Sequence, residues 1–241
     1  MSLKLGPYLL GPNEENQGVY LGDARELAKM IPNESVDLIF TDPPYSKKHL
    51  SLYGWLARES ARILKPSGFC LAMCGGLYLN QVFALMDEHL AFFWKYEVYL
   101  SGWAAGCIWP DGNTSVNIVT RTKPILAYRK GKALPRTSTL GLFSGTGNDK
   151  RYHAWGQDEA SARYYIDCFT TVGQVVFDPF SGGGTTPAMS RVLHRHWLAF
   201  DRDPEAIEKT LTHIKGCQPM LFPPKVEQME LSSNTLSDKC D

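Results

Sequence analysis

The chain has 241 residues, of which 44% are hydrophobic, 12% aromatic and 21% charged, and its formal charge is zero. This composition is typical of a soluble globular protein, and the length fits one domain or one domain with an insertion. A membrane helix and a secretory signal are not expected, because no apolar stretch reaches about 18 residues and the N-terminus turns acidic early. A neutral chain can attract nucleic acid only through a local basic surface.

Short apolar runs alternate with amphipathic stretches along the chain, a pattern typical of α/β proteins. The predicted strands are 18–21, 36–40, 69–73, 96–100, 125–128, 175–178 and 197–201. The predicted helices are 24–30, 52–64, 78–89, 158–169, 186–194 and 204–214, with a turn at 65–68. We expect an N-terminal arm (1–17), one domain (18–216) with an irregular insertion (101–155), and a flexible polar tail (217–241).

Six cysteines are spread along the chain without the two close pairs that a metal site needs. Cys70 and Cys74 lie in the apolar run FCLAMCGG, which favours buried structural thiols. We therefore expect no metal ion and a reducing, cytoplasmic setting.

A glycine-rich loop follows the strand at 175–178, in the sequence VVFDPFSGGGTTPAM. Glycines let a ligand approach the backbone, and the N-terminus of the following helix, which Thr185 or Thr186 can cap, offers free N–H groups. Asp201 ends the next strand, nineteen residues after Gly182, where dinucleotide folds place the acid that binds ribose. The spacing fits neither a nicotinamide dinucleotide nor ATP, so another ribose-containing ligand is predicted; a tight structural turn is the alternative.

Too little chain follows the glycine loop to complete a nucleotide-binding sheet. Only about 40 ordered residues are expected after Gly182, whereas such a sheet has five or more strands, so the missing strands must come from the N-terminal side. We expect the strand at 18–21 to be third in the sheet and the strand at 36–40 to be fourth. Ligands bind at the carboxyl ends of such strands, which would bring Asp23 and the turn after Phe40 to the same crevice as the loop.

That turn reads Asp42, Pro43, Pro44, Tyr45. The prolines make it stiff, and the Asp42 carboxylate and Pro43 carbonyl supply two fixed acceptors for a planar amino group. The Tyr45 ring offers a surface on which a flat base can stack. Such a turn would hold an exocyclic amino group and draw its lone pair out of conjugation, although Asp-Pro pairs are also common in plain surface turns.

The segments TDPPY and DPFSGGGTT, in this order, resemble the S-adenosylmethionine-dependent DNA amino-methyltransferases, which modify adenine N6 or cytosine N4. The order of the motifs resembles the permuted β-class arrangement, and GVYLGDARELAKMIPNESVDLIFTDPPY and ARILKPSGFCLAM extend the resemblance over roughly residues 18–215. It implies a circularly permuted Rossmann-like sheet, mostly parallel with one antiparallel strand, and helices on both faces.

The resemblance also implies roles for individual residues. It assigns Asp42, Pro43, Pro44 and Tyr45 to the target base. It assigns S-adenosylmethionine contacts to Asp23, near the adenine, to Asp201, on the ribose, and to Asp178, Phe180, Gly182, Gly184, Thr185, His153 and Gln157. The stretch HAWGQDE departs from the family pattern, because Asp158 and Glu159 stand where the family usually has Lys-Pro.

The implied reaction is direct methyl transfer from sulfonium to nitrogen, without a metal ion or a covalent enzyme intermediate. The target base must flip out of the duplex, and Asp42 would support the positive charge that develops on the amino nitrogen. In the family, an aspartate in the tetrapeptide is associated with adenine and a serine with cytosine, so adenine N6 is expected over cytosine N4. An inactive, methyltransferase-like DNA-binding module is the non-enzymatic alternative.

Basic residues around the irregular region are candidate contacts to the DNA backbone, with solvated loop charges as the alternative. They are Arg121, Lys123, Arg129, Lys130, Lys132, Arg136, Lys150 and Arg151. Residues 101–155 are the expected target-recognition insertion, in which Trp103, Trp109 and Trp155 either pack or touch DNA.

The tail begins with QPMLF, from Gln218 to Phe222. Met220, Leu221 and Phe222 either fold back onto the domain or dock on a partner. The spacing of Gln, Leu and Phe resembles the peptide by which bacterial replication proteins bind the sliding clamp, although the second position is Pro rather than the usual Leu. A clamp tether would raise the local concentration of the enzyme on new DNA.

Overall fold

The structure is a computed structural model, and it describes residues 18–100, 105–108, 115–145 and 158–221. The strands within these ranges are β1 (Val19–Leu21), β2 (Val36–Thr41), β3 (Leu64–Met73), β4 (Ala91–Leu100), β5 (Ala105–Ile108), β6 (Ser115–Thr120), β7 (Thr122–Arg129), β8 (Leu142–Gly145), β9 (Val175–Asp178) and β10 (His196–Asp201). The α-helices are α1 (Ala24–Leu27), α2 (Ser51–Ile63), α3 (Leu79–Asp87), α4 (Glu159–Phe169), α5 (Thr185–Val192) and α6 (Pro204–Gly216). Short 3₁₀ turns cover Ala28–Met30, Lys47–His49 and Gly76–Tyr78.

Eight strands form one twisted sheet in the order β1-β10-β9-β2-β3-β7-β4-β8. Among the described strands of this sheet, β7 alone runs antiparallel to its neighbours, β3 and β4, and the other pairs are parallel. Strands β10 and β1 lie in that order on one side of β9. Strand β2 lies directly on the other side of β9. The predicted permuted sheet, with one antiparallel strand, is therefore confirmed.

Strand β2 lies near the middle of the sheet and is buried along its whole length. Its side chains alternate between two apolar clusters, because successive residues of a strand point to opposite faces. Ile39 packs in the cluster formed with α1, α2 and α3, whereas Leu38 and Phe40 pack in the cluster formed with α4, α5 and α6. Burial on both faces explains the continuous apolar run of this parallel strand.

The predicted turn at 65–68 interrupts the pairing of β3 rather than the strand itself. Val36 pairs with Leu64 and Leu38 with Phe69, so four residues of β3 bulge out between two points that are two residues apart on β2. Pro66 and Gly68 suit this excursion, because proline cannot donate to the ladder and glycine weakens a strand interior.

The insertion at 101–155 was expected to be irregular; this is wrong for four described segments, which form strands, and right for residues 130–141. Strands β5 and β6 pair as an antiparallel ribbon, and β8 adds a parallel edge strand beside β4. The sequence SVNIVT of β6 is β-branched and strand-forming, but its flanking Gly, Asn and Thr residues hide the pattern. The ribbon connects β4 to β7 at the edge of the sheet where β2 and β3 end.

Cys70 and Cys74 confirm the prediction of buried structural thiols. Cys70, Cys74 and Cys168 are free and buried. Burial raises the pKa of both the Cys70 and the Cys74 thiol to about 12. These thiols stay protonated and unreactive at neutral pH. Among the described helices, none is long and apolar enough to span a membrane.

Candidate cofactor and target-base site

The site lies where the direction of strand order reverses, at the carboxyl ends of β9 and β2. From β9 the chain continues to β10 on one side, and from β2 it continues to β3 on the other. Such a switch point leaves a crevice in which ligands of open α/β sheets bind. A buried hydrogen bond crosses it, because the Thr41 hydroxyl at the end of β2 donates to Asp178 Oδ1 at the end of β9 over 2.7 Å.

Asp178 is a buried acid that holds the start of the glycine loop. Its Oδ1 also accepts the Phe180 backbone N–H at 3.1 Å. Burial raises the pKa of Asp178 to about 7, against the opposing effect of the hydrogen bonds from Thr41 and Phe180. The Phe180 ring meets Trp55 of α2 edge-on, with centroids 6.0 Å apart. The loop therefore leaves β9 in a fixed direction.

Two glycines of the loop have positive φ, and the surroundings of the two differ. Gly184 (φ +78°) has no room for a side chain, because a Cβ would lie 2.7 Å from Thr210 Cα. Gly182 (φ +50°) faces open space, since the nearest atom to an added Cβ is the Phe180 carbonyl oxygen at 4.0 Å. Close packing thus requires Gly184, whereas the space beside Gly182 is open to a ligand.

Helix α6 holds the loop from below. The Thr210 hydroxyl donates to the Gly182 carbonyl at 3.1 Å, and His213 Nδ1 lies 2.9 Å from the Gly183 carbonyl oxygen. His213 Nε2 lies 2.9 Å from Glu159 Oε1 on α4. Sequence reasoning missed these two anchors, although Thr and His three residues apart share one face of a helix.

Residues 158 and 159, which depart from the family pattern, both have structural partners. Asp158 caps α4 by accepting the Ser161 backbone N–H at 2.7 Å. Glu159 reaches His213, as described above, and so connects α4 to the helix that supports the glycine loop. An acidic pair at this place therefore serves the fold.

The predicted cap of α5 is wrong. Gly184, in the left-handed conformation, is the N-cap residue, and Thr185 and Thr186 lie inside the helix. The Thr186 hydroxyl instead donates to the Phe40 carbonyl of β2 at 3.2 Å. Because no side chain caps α5, its N-terminal N–H groups remain suited to an electron-rich ligand.

Asp201 is the last residue of β10, and Asp23 lies two residues after the end of the neighbouring strand β1, at the same edge. Asp201 Oδ2 accepts the Gly182 N–H and Oδ1 accepts the Asp203 N–H, each at 2.9 Å. Asp23 caps α1 by accepting the Arg25 N–H at 2.8 Å, and its Oδ2 accepts from the Arg25 guanidinium at 2.7 Å. These bonds to Arg25 lower the pKa of Asp23 to about 2. Asp23 is therefore ionised at neutral pH, and Asp201 holds two backbone N–H groups, one of them in the glycine loop.

The turn after β2 carries a compact polar cluster. Asp42 Oδ1 accepts a hydrogen bond from the Tyr45 hydroxyl. Asp42 Oδ2 accepts one from Lys123 Nζ on β7 over 2.5 Å. Burial of its hydroxyl and the charge of Asp42 raise the pKa of Tyr45, although 36% of the side chain is exposed. The ring lies against Gly75, where an added Cβ would come within 3.2 Å of Tyr45 Cβ, and Lys123 Nζ is 5.5 Å from the ring centroid. A partly exposed aromatic residue thus sits beside a carboxylate.

The described residues assigned to cofactor and base all lie at this one edge. They are Asp23, Asp42, Pro43, Pro44, Tyr45, Asp178, Phe180, Gly182, Gly184, Thr185 and Asp201. His153 and Gln157 lie outside the described residues, as do Trp103, Trp109 and Trp155.

The structure divides the candidate DNA contacts into two groups. Arg121 and Lys123 lie at the site edge, because antiparallel β7 begins there. Arg129 and Lys130 lie at the opposite end of β7, where Arg129 donates to the Ala133 carbonyl at 2.8 Å and Lys130 to the Leu64 carbonyl at 2.8 Å.

Lys132 and Arg136 follow β7 in the chain. They lie near the end of β7 that is farthest from the site. The Arg136 guanidinium donates to the Thr170 carbonyl at 3.0 Å and lies 3.3 Å from Asp167 Oδ1. Lys132 is exposed. The structure therefore does not bring Arg129, Lys130, Lys132 or Arg136 to the site, and Lys150 and Arg151 lie outside the described residues.

The start of the tail folds back in part. The Met220 N–H donates to the Val192 carbonyl at 3.0 Å, and His194 Nε2 lies 2.7 Å from the Met220 carbonyl oxygen. Leu221 is 94% exposed, and Phe222 lies outside the described residues. Met220 thus follows the fold-back alternative, and the clamp peptide stays a prediction.

Comparison with known proteins agrees with this geometry. The family model described as DNA methylase (N6/N4) matches residues 136–212. The type II methyltransferase M.BamHI of Bacillus amyloliquefaciens is 25% identical over 88% of this chain, and the match spans 63% of that protein, less than two thirds of its length.

Two solved structures have the same fold. The cytosine-N4-specific PvuII DNA methyltransferase superposes with a TM-score of 0.70 at 18% identity, covering 81% of this chain and 85% of that chain. The M1.HpyAVI–SAM complex superposes with a TM-score of 0.65 at 22% identity, covering 81% of this chain and 98% of that chain. These matches show that the chain is similar to DNA methyltransferases and shares the fold of the two solved enzymes.

Proposed function

We propose that this protein transfers the methyl group of S-adenosylmethionine to the exocyclic N6 of adenine in DNA. One observation carries the proposal: a glycine loop with acidic neighbours and an Asp-Pro-Pro-Tyr turn meet at one switch point, joined by the bond between Thr41 and Asp178. A ribose-binding half and a base-binding half beside each other are what methyl transfer to a base requires.

The residues of the loop fit S-adenosylmethionine. Open space beside Gly182 admits the ligand to the backbone, and the uncapped start of α5 suits the electron-rich groups of its amino-acid end. Asp201 would accept from the ribose hydroxyls and Asp23 would lie near the adenine, after giving up part of its contact to Arg25. When bound, the cofactor supplies an activated methyl group on a sulfonium.

The Asp42 turn would hold the target amino group. The carboxylate of Asp42 and the Pro43 carbonyl accept its two hydrogens, and the exposed face of Tyr45 stacks on the flipped base. These acceptors favour a pyramidal nitrogen whose lone pair points at the methyl group. Asp42 then stabilises the positive charge that forms on nitrogen, and the proton leaves to solvent after transfer.

Asp42, rather than a serine, supports adenine as the target, following the family preference. Cytosine N4 is the second candidate, because the PvuII enzyme that shares the fold is cytosine-N4-specific. Both bases present an amino group beside a ring nitrogen, so the same pair of acceptors could serve either.

DNA would approach the edge at which β7 begins. Arg121 is exposed there, and Lys123 lies beside Asp42. The β5–β6 ribbon leaves the sheet at the same edge, which supports residues 101–155 as the target-recognition insertion. The proposed backbone contacts on described residues are therefore Arg121 and Lys123.

A tether to the sliding clamp is a separate proposal, supported by the exposure of Leu221. A peptide of residues 214–228 should bind a bacterial clamp at tens of micromolar in a fluorescence titration, and a peptide with Leu221→Ala should not. Absence of binding by the unchanged peptide would remove this proposal.

The test of the proposed function is base-resolution sequencing of DNA from bacterial cells that express the protein, with Asp42→Ala as control. We expect N6-methyladenine at one short sequence with the wild type and none with the variant. Methylation at cytosine N4 would select the second candidate. No methylated base, together with retained cofactor binding, would support the inactive DNA-binding module.

A further inference from the structure

The contact between Lys123 and Asp42 has an electrostatic consequence for the reaction. Their side chains are only 20% and 15% exposed, and Lys123 Nζ lies 2.5 Å from Asp42 Oδ2. The other carboxylate oxygen of Asp42 accepts the Tyr45 hydroxyl. Both oxygens that should receive an amino group therefore already have a donor, and the negative charge of Asp42 has a counter-ion.

Such a counter-ion opposes the chemistry assigned to Asp42. Methyl transfer places a positive charge on the amino nitrogen, and an ammonium group within a few ångströms of that nitrogen repels it. The same ammonium competes with the amino group for Oδ2. The reaction is favoured when Lys123 gives up Asp42 as the base enters.

The position of Lys123 provides a second partner. It is the second residue of β7, which begins at the edge where DNA would approach, and exposed Arg121 lies two residues before it. A lysine has a flexible four-carbon stem and three rotatable donors, so it can change partner without a change of the backbone. A flipped nucleotide carries its own flanking phosphates to the mouth of the pocket.

We propose that Lys123 is an exchangeable counter-ion, which pairs with Asp42 in the DNA-free enzyme and moves to a phosphate of the target strand when the base enters. This inference rests on the proposed function. It makes Asp42 and the phosphate competitors for one ammonium group. By reciprocity, Asp42 weakens DNA binding, and bound DNA frees Asp42 for the amino group.

A double-mutant cycle tests the competition, with Asp42→Asn and Lys123→Met singly and together. DNA affinity is measured by fluorescence anisotropy at several salt concentrations, with S-adenosylhomocysteine present and a duplex carrying the sequence found methylated in cells. We expect Asp42→Asn to tighten binding by about three- to tenfold in the wild-type background and to have no effect in the Lys123→Met background. Lys123→Met alone should weaken binding and reduce the salt slope by about one.

Single-turnover methyl transfer over a range of DNA concentrations distinguishes an exchanging lysine from a fixed one. Lys123→Met should raise the DNA concentration that gives half of the maximal rate by a larger factor than it lowers the maximal rate itself, because the lysine has moved to the DNA before transfer. If the Lys123→Met variant folds poorly, Lys123→Gln is measured in its place. Thermal melts show whether each variant is folded. Lys29→Met is the matched control, since it removes an exposed lysine paired with Glu26 on the surface, and it should change neither affinity nor slope.

The proposal is overturned if Asp42→Asn fails to tighten binding in the wild-type background. It is also overturned if Lys123→Met lowers the saturating rate by tenfold or more while the salt slope stays the same, because Lys123 would then remain on Asp42 during transfer. Either result leaves methyl transfer by the wild-type enzyme, and hence the proposed function, untouched.

Discussion

The glycine loop and the Asp42 turn face each other across the boundary between β9 and β2, but different interactions fix them. The loop is held by backbone geometry and packing: Gly184 touches α6, and Thr210 and His213 hold its carbonyls. The turn is held by side-chain contacts, chiefly between Asp42 and Lys123. The proposed cofactor half is thus preformed, whereas we propose that the base half changes its partners when a nucleotide enters. Changes in the loop should therefore alter stability and cofactor affinity, and changes in the turn should alter the rate.

The largest expected effect is on the turn. Asp42→Ala removes the acceptor for the amino group and should lower the methyl-transfer rate by on the order of 10²–10³-fold. Because the loop is held independently, the dissociation constant for S-adenosylmethionine should stay within about threefold of wild type. Rapid-quench transfer assays and calorimetry give the two quantities. More than a tenth of the wild-type rate in the variant would show that Asp42 is not the acceptor.

A substitution in the loop should act through stability instead. Gly184→Ala forces a side chain onto Thr210 at positive φ and should lower the free energy of unfolding by about 2–4 kcal/mol. Gly173→Ala is the matched control, because Gly173 has a similar φ of +80° but nothing within 4 Å of an added Cβ. It should cost about 1–2 kcal/mol. Equal losses in urea titrations of the two variants would mean that contact with α6 does not hold the loop.

The buried acid beneath the loop should make stability depend on pH. Because the pKa of Asp178 is raised to about 7, the folded state keeps its proton at pH values where the unfolded state, with the ordinary pKa of 3.8, has lost it. The protonated Asp178 carboxyl therefore stabilises the folded state below pH 4, and this stabilisation is lost as the pH rises toward 7. Asp178→Asn keeps an acceptor for Thr41 without the charge.

The Asn variant should gain stability over the wild type as the pH rises, reaching about 2–4 kcal/mol above pH 7. Urea titrations at pH 4, 6 and 8 measure the difference. A constant difference at all three values would show that Asp178 does not titrate in this range.

The smallest expected effect concerns cofactor affinity. Asp201→Ala should weaken S-adenosylmethionine binding by about 1.5–3 kcal/mol, through loss of the charge-assisted hydrogen bond to the ribose and of the support for Gly182. Asp203→Ala is the control, because Asp203 caps α6 at Glu205 without belonging to the loop; it should lower stability by about 1 kcal/mol and leave affinity unchanged. An unaltered dissociation constant for Asp201→Ala would remove Asp201 from the cofactor site.

Local patterns in the sequence predicted much of the fold. The apolar run of β2, the glycine loop after β9 and the shortage of chain beyond it were enough to predict the permuted strand order. Each of these signals depends on residues that are close in sequence or on the number of residues that follow the loop. The predicted helices all exist, with ends that differ by a few residues.

Contacts between distant residues could not be predicted in the same way. Lys123 and Asp42 are 81 positions apart, and their meeting depends on the register of β7 against β3, which an apolar pattern does not determine. The roles of Thr210 and His213 likewise depend on how α6 docks. The wrong cap of α5 has a local cause, because Thr186 found a partner on β2 and a left-handed glycine took the cap position.

The central claim, methyl transfer to adenine N6, is tested most directly by mass spectrometry of nucleosides. Purified wild-type protein is incubated with duplex DNA and S-adenosylmethionine carrying a deuterated methyl group, and the DNA is then digested to nucleosides. The account predicts labelled N6-methyldeoxyadenosine from the wild type and none from Asp42→Ala. Labelled N4-methyldeoxycytidine, or no labelled nucleoside at all, would contradict it.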